Sequence, residues 1–130
     1  MNMQEIADTL INGFHDANVN EINLNFLKKT AQINLDIWLG DETEPERYQK
    51  GRLFFSDFLF LSIDPPDEGV YSDTFVIDLV ENDNDILDNY ESFKKLKEYI
   101  PDGYLITCFS LLNHITMMYL IYKDVKFEWV

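Results

Sequence analysis

The sequence predicts an α+β fold, mainly antiparallel β, with about seven strands in a curled sheet or sandwich and two peripheral helices. Two patterns carry that expectation. Most apolar segments alternate with polar residues at a period of two, and only two segments repeat at the helical period. A third observation sets the scale. Of 130 residues 46% are hydrophobic, and ten Phe, seven Tyr and two Trp supply bulk for a core, so residues 1–130 read as a single domain.

Taken in order, the first element is a helix. Met3, Ile6, Ala7, Leu10, Ile11 and Phe14 form one apolar stripe, Asn2 is placed to cap it, Glu5 stands three residues on as in a capping box, and Gly13 marks its end. A hairpin follows: Ile22, Leu24 and Phe26 alternate with asparagines, Lys28-Lys29-Thr30 turns the chain, and Ile33, Leu35, Ile37 and Leu39 alternate with Asn34, Asp36 and Trp38. Each strand thus has one apolar and one polar face, as in an antiparallel sheet wet on one side. Gly40 to Glu46 is an acidic connection. Residues 48–63 are dense in aromatics on both sides of Ser56-Asp57, which suggests strands covered on both faces or one strand with a bulge at Ser56.

Asp64-Pro65-Pro66-Asp67-Glu68-Gly69 is a loop, and Phe75, Ile77 and Leu79 mark another strand. Asp83-Asn84-Asp85 opens the second helix, whose apolar face runs from Ile86 to Ile100. Acids crowd its first turn and Lys94, Lys95 and Lys97 its last, matching the helix dipole. Pro101 and Gly103 stop it. At the end of the chain Val125, Phe127 and Trp129 alternate with Lys126 and Glu128, which places Trp129 in the core.

Tyr104 to Tyr122 is long and uncharged apart from His114, enough to span a bilayer as a helix. Asn113-His114 at its centre would be costly in lipid, and the flanking Ile-Thr pairs are β-branched, so two strands folded at a turn fit better. With no basic leader at Met1–Glu5 and one cysteine, Cys108, the chain reads as a cytoplasmic protein of a reducing compartment, with no membrane partner.

Twenty-four acidic against ten basic side chains give a formal charge of −14. Such a field repels nucleic acid and anionic membrane and draws in cationic partners. The basic clusters, Lys28-Lys29 and the three lysines of the second helix, are too short for a nucleic-acid groove. The search for chemistry is equally negative. Two histidines a hundred residues apart give no metal spacing, and Asp83-Asn84-Asp85 lacks the alternation and glycine of a calcium loop. No phosphate-binding glycine loop or serine elbow is present. Neither a cofactor nor a metal is expected. His15-Asp16 is a carboxylate–imidazole pair, but adjacent residues normally point apart, so a corner-forming role is favoured over catalysis. Trp38, on the polar face of its strand, is an interface anchor or else packs under a helix or the acidic loop.

Phe14-His15-Asp16-Ala17, the hairpin Val19–Leu39, Arg52-Leu53-Phe54-Phe55 and the closing Lys123-Asp124-Val125-Lys126-Phe127-Glu128-Trp129 together resemble a group of small bacterial proteins. These carry a Phe/Leu-His-Asp-Ala/Ser motif before a β-meander, and some look like immunity proteins of polymorphic toxin systems. The helix before Phe14 and the one over 84–100 depart from that pattern. The resemblance carries no catalytic residues to this chain and implies a compact β-rich domain that works by binding.

The expectation is therefore a non-catalytic domain that binds a protein with a basic surface. Asp36, Asp41, Glu42, Glu44 and Glu46, with Asp64, Asp67 and Glu68 in the second acidic loop, would steer the encounter, and Trp38 would supply buried contact. The alternatives are a small enzyme or ligand-binding domain at His15 and a structural subunit of an assembly.

Overall fold

Asn2 caps the first helix, α1 (Met3–Thr9): its Oδ1 accepts from the Glu5 N–H at 2.9 Å. The computed structural model describes residues 2–63, 75–81, 91–111 and 116–130. Met3, Ile6, Leu10 and Phe14 are buried as the stripe predicts, but Ile11 is 77% exposed. The helix ends before it, at Leu10, whose N–H folds back to the Ala7 carbonyl, and the turns that follow point Ile11 outward.

Eight strands follow among the described residues, one more than expected because the 48–63 run supplies two. They are β1 (Asn18–Asn25), β2 (Thr30–Trp38), β3 (Tyr48–Ser56), β4 (Phe60–Ile63), β5 (Phe75–Glu81), β6 (Leu105–Leu111), β7 (Thr116–Tyr122) and β8 (Asp124–Trp129), with helix α2 (Glu91–Lys97) between β5 and β6. They form one antiparallel sheet in the order β4-β7-β6-β5-β1-β2-β3-β8. The start of the second predicted helix, Asp83 to Tyr90, and the turn holding Asn113 and His114 lie outside the described residues.

The sheet curls because its edge strands continue inner ones. β3 leads into β4 through Asp57-Phe58-Leu59, and β7 into β8 through Lys123. The two corners lie side by side, with the Lys123 N–H donating to the Ser56 carbonyl (3.1 Å) and the Leu59 N–H to that of Ile121 (2.8 Å). Asp57 takes a positive φ of 53° to turn its corner. Neither reading of the aromatic run holds in full: it forms two strands rather than one bulged strand, and β3 is covered on one face only, with Phe54 37% exposed on the other.

Inside the curl, α1 packs on the inward residues of both halves of the sheet, among them Ile33, Leu35, Leu53, Phe55, Phe109, Leu120 and Val125. A second core lies on the outer face of β6 and β7, where Ile106, Cys108, Tyr119 and Ile121 meet Phe93, Leu96 and Ile100 of the α2 segment. The uncharged run 104–122 is thereby explained. Its strands are buried on both faces, so neither face carries charge. No helix among the described residues is long and apolar enough to cross a membrane.

Two aromatic residues depart from expectation. Trp129 is 43% exposed, resting edge-on against Phe127 at 5.0 Å, because β8 runs past the end of the core at a sheet edge. Phe26 is 69% exposed for the same reason: the β1–β2 hairpin projects beyond the residues that would cover it.

Candidate functional site

The outward end of β2 meets three other pieces of chain. Gly13 (φ 55°) and Asp16 (φ 59°) both adopt left-handed backbone, which folds the Gly13–Ala17 turn tightly between α1 and β1. The turn is fastened to the sheet by the Asp16 N–H on the Ile77 carbonyl (2.9 Å) and the Ile77 N–H on that of Ala17 (2.8 Å). Positive φ at Asp16 also removes the divergence expected of sequence neighbours. His15 Nε2 and Asp16 Oδ2 stand 3.5 Å apart, with side chains 53% and 37% exposed. The imidazole meets the Trp38 ring edge-on at 6.4 Å.

Trp38 lies on the polar face of β2, half-buried, as the alternation predicts. The acidic loop folds over it. Its indole N–H donates to the Pro45 carbonyl at 3.1 Å, and the Leu39 N–H closes the loop on Arg47 at 2.8 Å. Gly40 is required here, since a Cβ at that position would sit 2.0 Å from the Glu44 carbonyl oxygen and 2.6 Å from the indole nitrogen.

The acids of the loop are not equivalent. Asp41 Oδ1 accepts from the Thr43 hydroxyl (2.6 Å), the Thr43 N–H (2.8 Å) and the Glu44 N–H (2.9 Å). The Thr43 hydroxyl, followed by those two amides, holds its carboxyl below the usual range. Asp41 is a loop brace. Glu44 pairs with Arg47 at 3.3 Å. Glu42 and Glu46 are exposed.

Asp36, two residues before Trp38 on the same face, stands across from Lys50, and Trp38 from Tyr48. The Tyr48 phenol is pushed above its ordinary range by burial and then by the Asp16, Glu46 and Asp36 carboxylates. Carboxylates from the helix–strand turn, the loop and β2 thus act on one hydroxyl. Asp64, Asp67 and Glu68 lie outside the described residues.

Two residues the sequence reading passed over complete the corner. Asn12 donates both amide hydrogens, to the Trp38 (3.2 Å) and Gly40 (2.9 Å) carbonyls, tying the turn after α1 to the root of the loop. Tyr48 is 39% exposed beside Trp38. An asparagine before a glycine reads as a turn residue, and nothing local signals its distant partners.

Chemically, the corner offers carboxylates, a half-buried indole, an exposed phenol and an imidazole beside a carboxylate. Among the described residues no group of three or more His, Cys, Asp or Glu side chains could hold a metal ion. No family model matches this chain, and no similar curated protein or solved structure was found.

Proposed function

We propose that this chain is a non-catalytic protein-binding domain whose acidic corner receives a protein with a basic surface. The observation that supports this most is the convergence of Asp16, Asp36 and Glu46 around Tyr48, beside a Trp38 ring already held in place by the loop. Carboxylates would speed encounter with a cationic partner, and the fixed aromatics would supply contact at low entropic cost. The specific form we favour is an immunity protein that covers a basic toxin in a bacterial cytoplasm. The resemblance around Phe14-His15-Asp16-Ala17 suggests it, and the single, buried, unbridged Cys108 suits that compartment.

The test is affinity capture from a bacterial lysate, at low and high salt, using the wild-type chain and an Asp36→Asn/Glu42→Gln/Glu46→Gln variant. Asp41 and Glu44 are left in place because they brace the loop. A basic protein retained by the wild type at low salt, lost at high salt and lost with the variant supports the reading. A partner held equally by both chains at either salt excludes the corner. The alternative, a ligand or substrate site at His15, draws on the 3.5 Å contact with Asp16. A folded His15→Ala chain that keeps its protein partner but loses a small ligand would favour that alternative.

A further inference from the structure

The far end of β2 has the opposite character. The turn between β1 and β2 is Phe26-Leu27-Lys28-Lys29, with Phe26 69% and Leu27 93% exposed. A turn that only reverses the chain is built from Gly, Asn, Asp or Ser, because those residues accept turn geometry and water. Here Lys29 takes the left-handed conformation (φ 57°) and two large apolar side chains stand in solvent. Phe26 rests on Phe58 at 5.8 Å, and the Phe58 N–H donates to the Lys29 carbonyl at 2.8 Å. Leu59, next in the chain after Phe58, is 48% exposed. Lys28 and Lys29 are exposed at the rim of this apolar knob, with no ion pair among the described residues. In a chain of charge −14, this end carries cations beside apolar surface.

The charge chooses the occupant. An anionic bilayer would be repelled by the field of the whole molecule. The complementary surface is on the chain itself: the acidic corner, with exposed Glu42 and Glu46 and the Trp38–Tyr48 aromatic pair. Thr30 and Trp38 bound β2, roughly 27 Å apart at the usual strand rise, so knob and corner of one molecule cannot meet. We propose that the Phe26–Lys29 knob of one copy docks on the acidic corner of a second copy, giving weak head-to-tail self-association. Leu27 would supply apolar contact, and Lys28 and Lys29 would face the carboxylates and the aromatic faces. Such a contact is heterologous and propagates to a ring or an open chain. It does not rest on the basic-partner reading, although such a partner would compete for the same corner.

Sedimentation velocity of the full chain over a concentration series, at low and high salt, tests it through a charge swap. The wild type should associate at low salt and less at high salt. Lys28→Glu/Lys29→Glu and Glu42→Lys/Glu46→Lys, each alone, should stay monomeric, whereas their mixture should associate again. Leu27→Asp should weaken association by about tenfold. Near-ultraviolet circular dichroism confirms that each variant keeps its fold. A wild type that stays monomeric throughout, a swapped mixture that fails to associate, or a Lys28→Glu/Lys29→Glu chain that associates like the wild type overturns the proposal. So does binding to anionic vesicles that Leu27→Asp abolishes, which would assign the knob to a membrane surface. Because only copies of the chain are present, these outcomes leave the basic-partner reading to its own test.

Discussion

The half of the sheet formed by β6 and β7 is buried on both faces, whereas the half formed by β2 and β3 is covered on one. The difference is written in composition. Across β6 and β7 the described side chains are buried or half-buried apart from Leu105, and the segment carries no charge. Along β2 the burial alternates strictly, and the outward positions hold Gln32, Asn34, Asp36 and Trp38. There the polar groups bond one another: Arg52 donates to Asn34 (3.2 Å) and to Glu128 (3.0 Å), and Gln32 to Asn34 (3.2 Å). One half of the sheet is committed to stability. The other leaves a face on which recognition can be built at small cost to the fold.

The strongest way to break that contrast is to truncate one aromatic on each half. Phe93 is fully buried against the outer face of β6–β7 and stacks on Tyr119 at 6.4 Å. Phe93→Ala should cost about 3–5 kcal/mol, the range for a buried aromatic that leaves a cavity. Phe54→Ala on the open face of β3 should cost less than about 1 kcal/mol. Urea denaturation of both variants checks this, and comparable losses would mean that the α2 segment does not seal a second core.

The same contrast explains what could be read from the residues. Period-two alternation located β2 and β8, and Asn2 with Glu5 located the start of α1, because caps and periodicity are local signals. Alternation tells which side of a strand a residue faces, but not where the core ends. Phe26 and Trp129 therefore fall on predicted apolar faces and are nonetheless exposed. The corner was legible only in part. Trp38 was placed correctly on the outward face of β2, but the His15–Asp16 contact depends on one left-handed residue, and Asn12 acts on carbonyls 26 and 28 residues away. Those are tertiary facts with no sequence period.

Two phenols sharpen the comparison through pH. Tyr122, on the inner face of β7, is buried and bonded to the Thr107 hydroxyl at 2.5 Å. Burial pushes its pKa from 10.0 up to about 12, against the opposing effect of that bond. An unfolded chain releases this proton near pH 10, whereas the folded chain holds it, so the unfolded state binds fewer protons in between. Stability should be intact below pH 10 and fall by about 2–3 kcal/mol as pH rises to about 12. Chemical denaturation across that range should show Tyr122→Phe losing most of this decline. Tyr48→Phe on the open half should remove less of it, since Tyr48 is 39% exposed.

A loss smaller than those at Phe93 and Tyr122 tests whether the open half holds its recognition residue rigidly. At Gly40 a methyl group would meet the Glu44 carbonyl oxygen at 2.0 Å, and the obstacle is backbone, so the loop itself must move. Gly40→Ala should therefore cost about 1–2 kcal/mol while displacing the Pro45 carbonyl from the Trp38 indole. In a Trp129→Phe background Trp38 is the only indole, and its emission should shift to the red as water replaces Pro45. Partner capture should weaken further than the stability loss explains, because the ring would have to be ordered on binding. If emission and capture are both unchanged, the loop does not fix Trp38, and the open face would have to recognise its partner through charge alone.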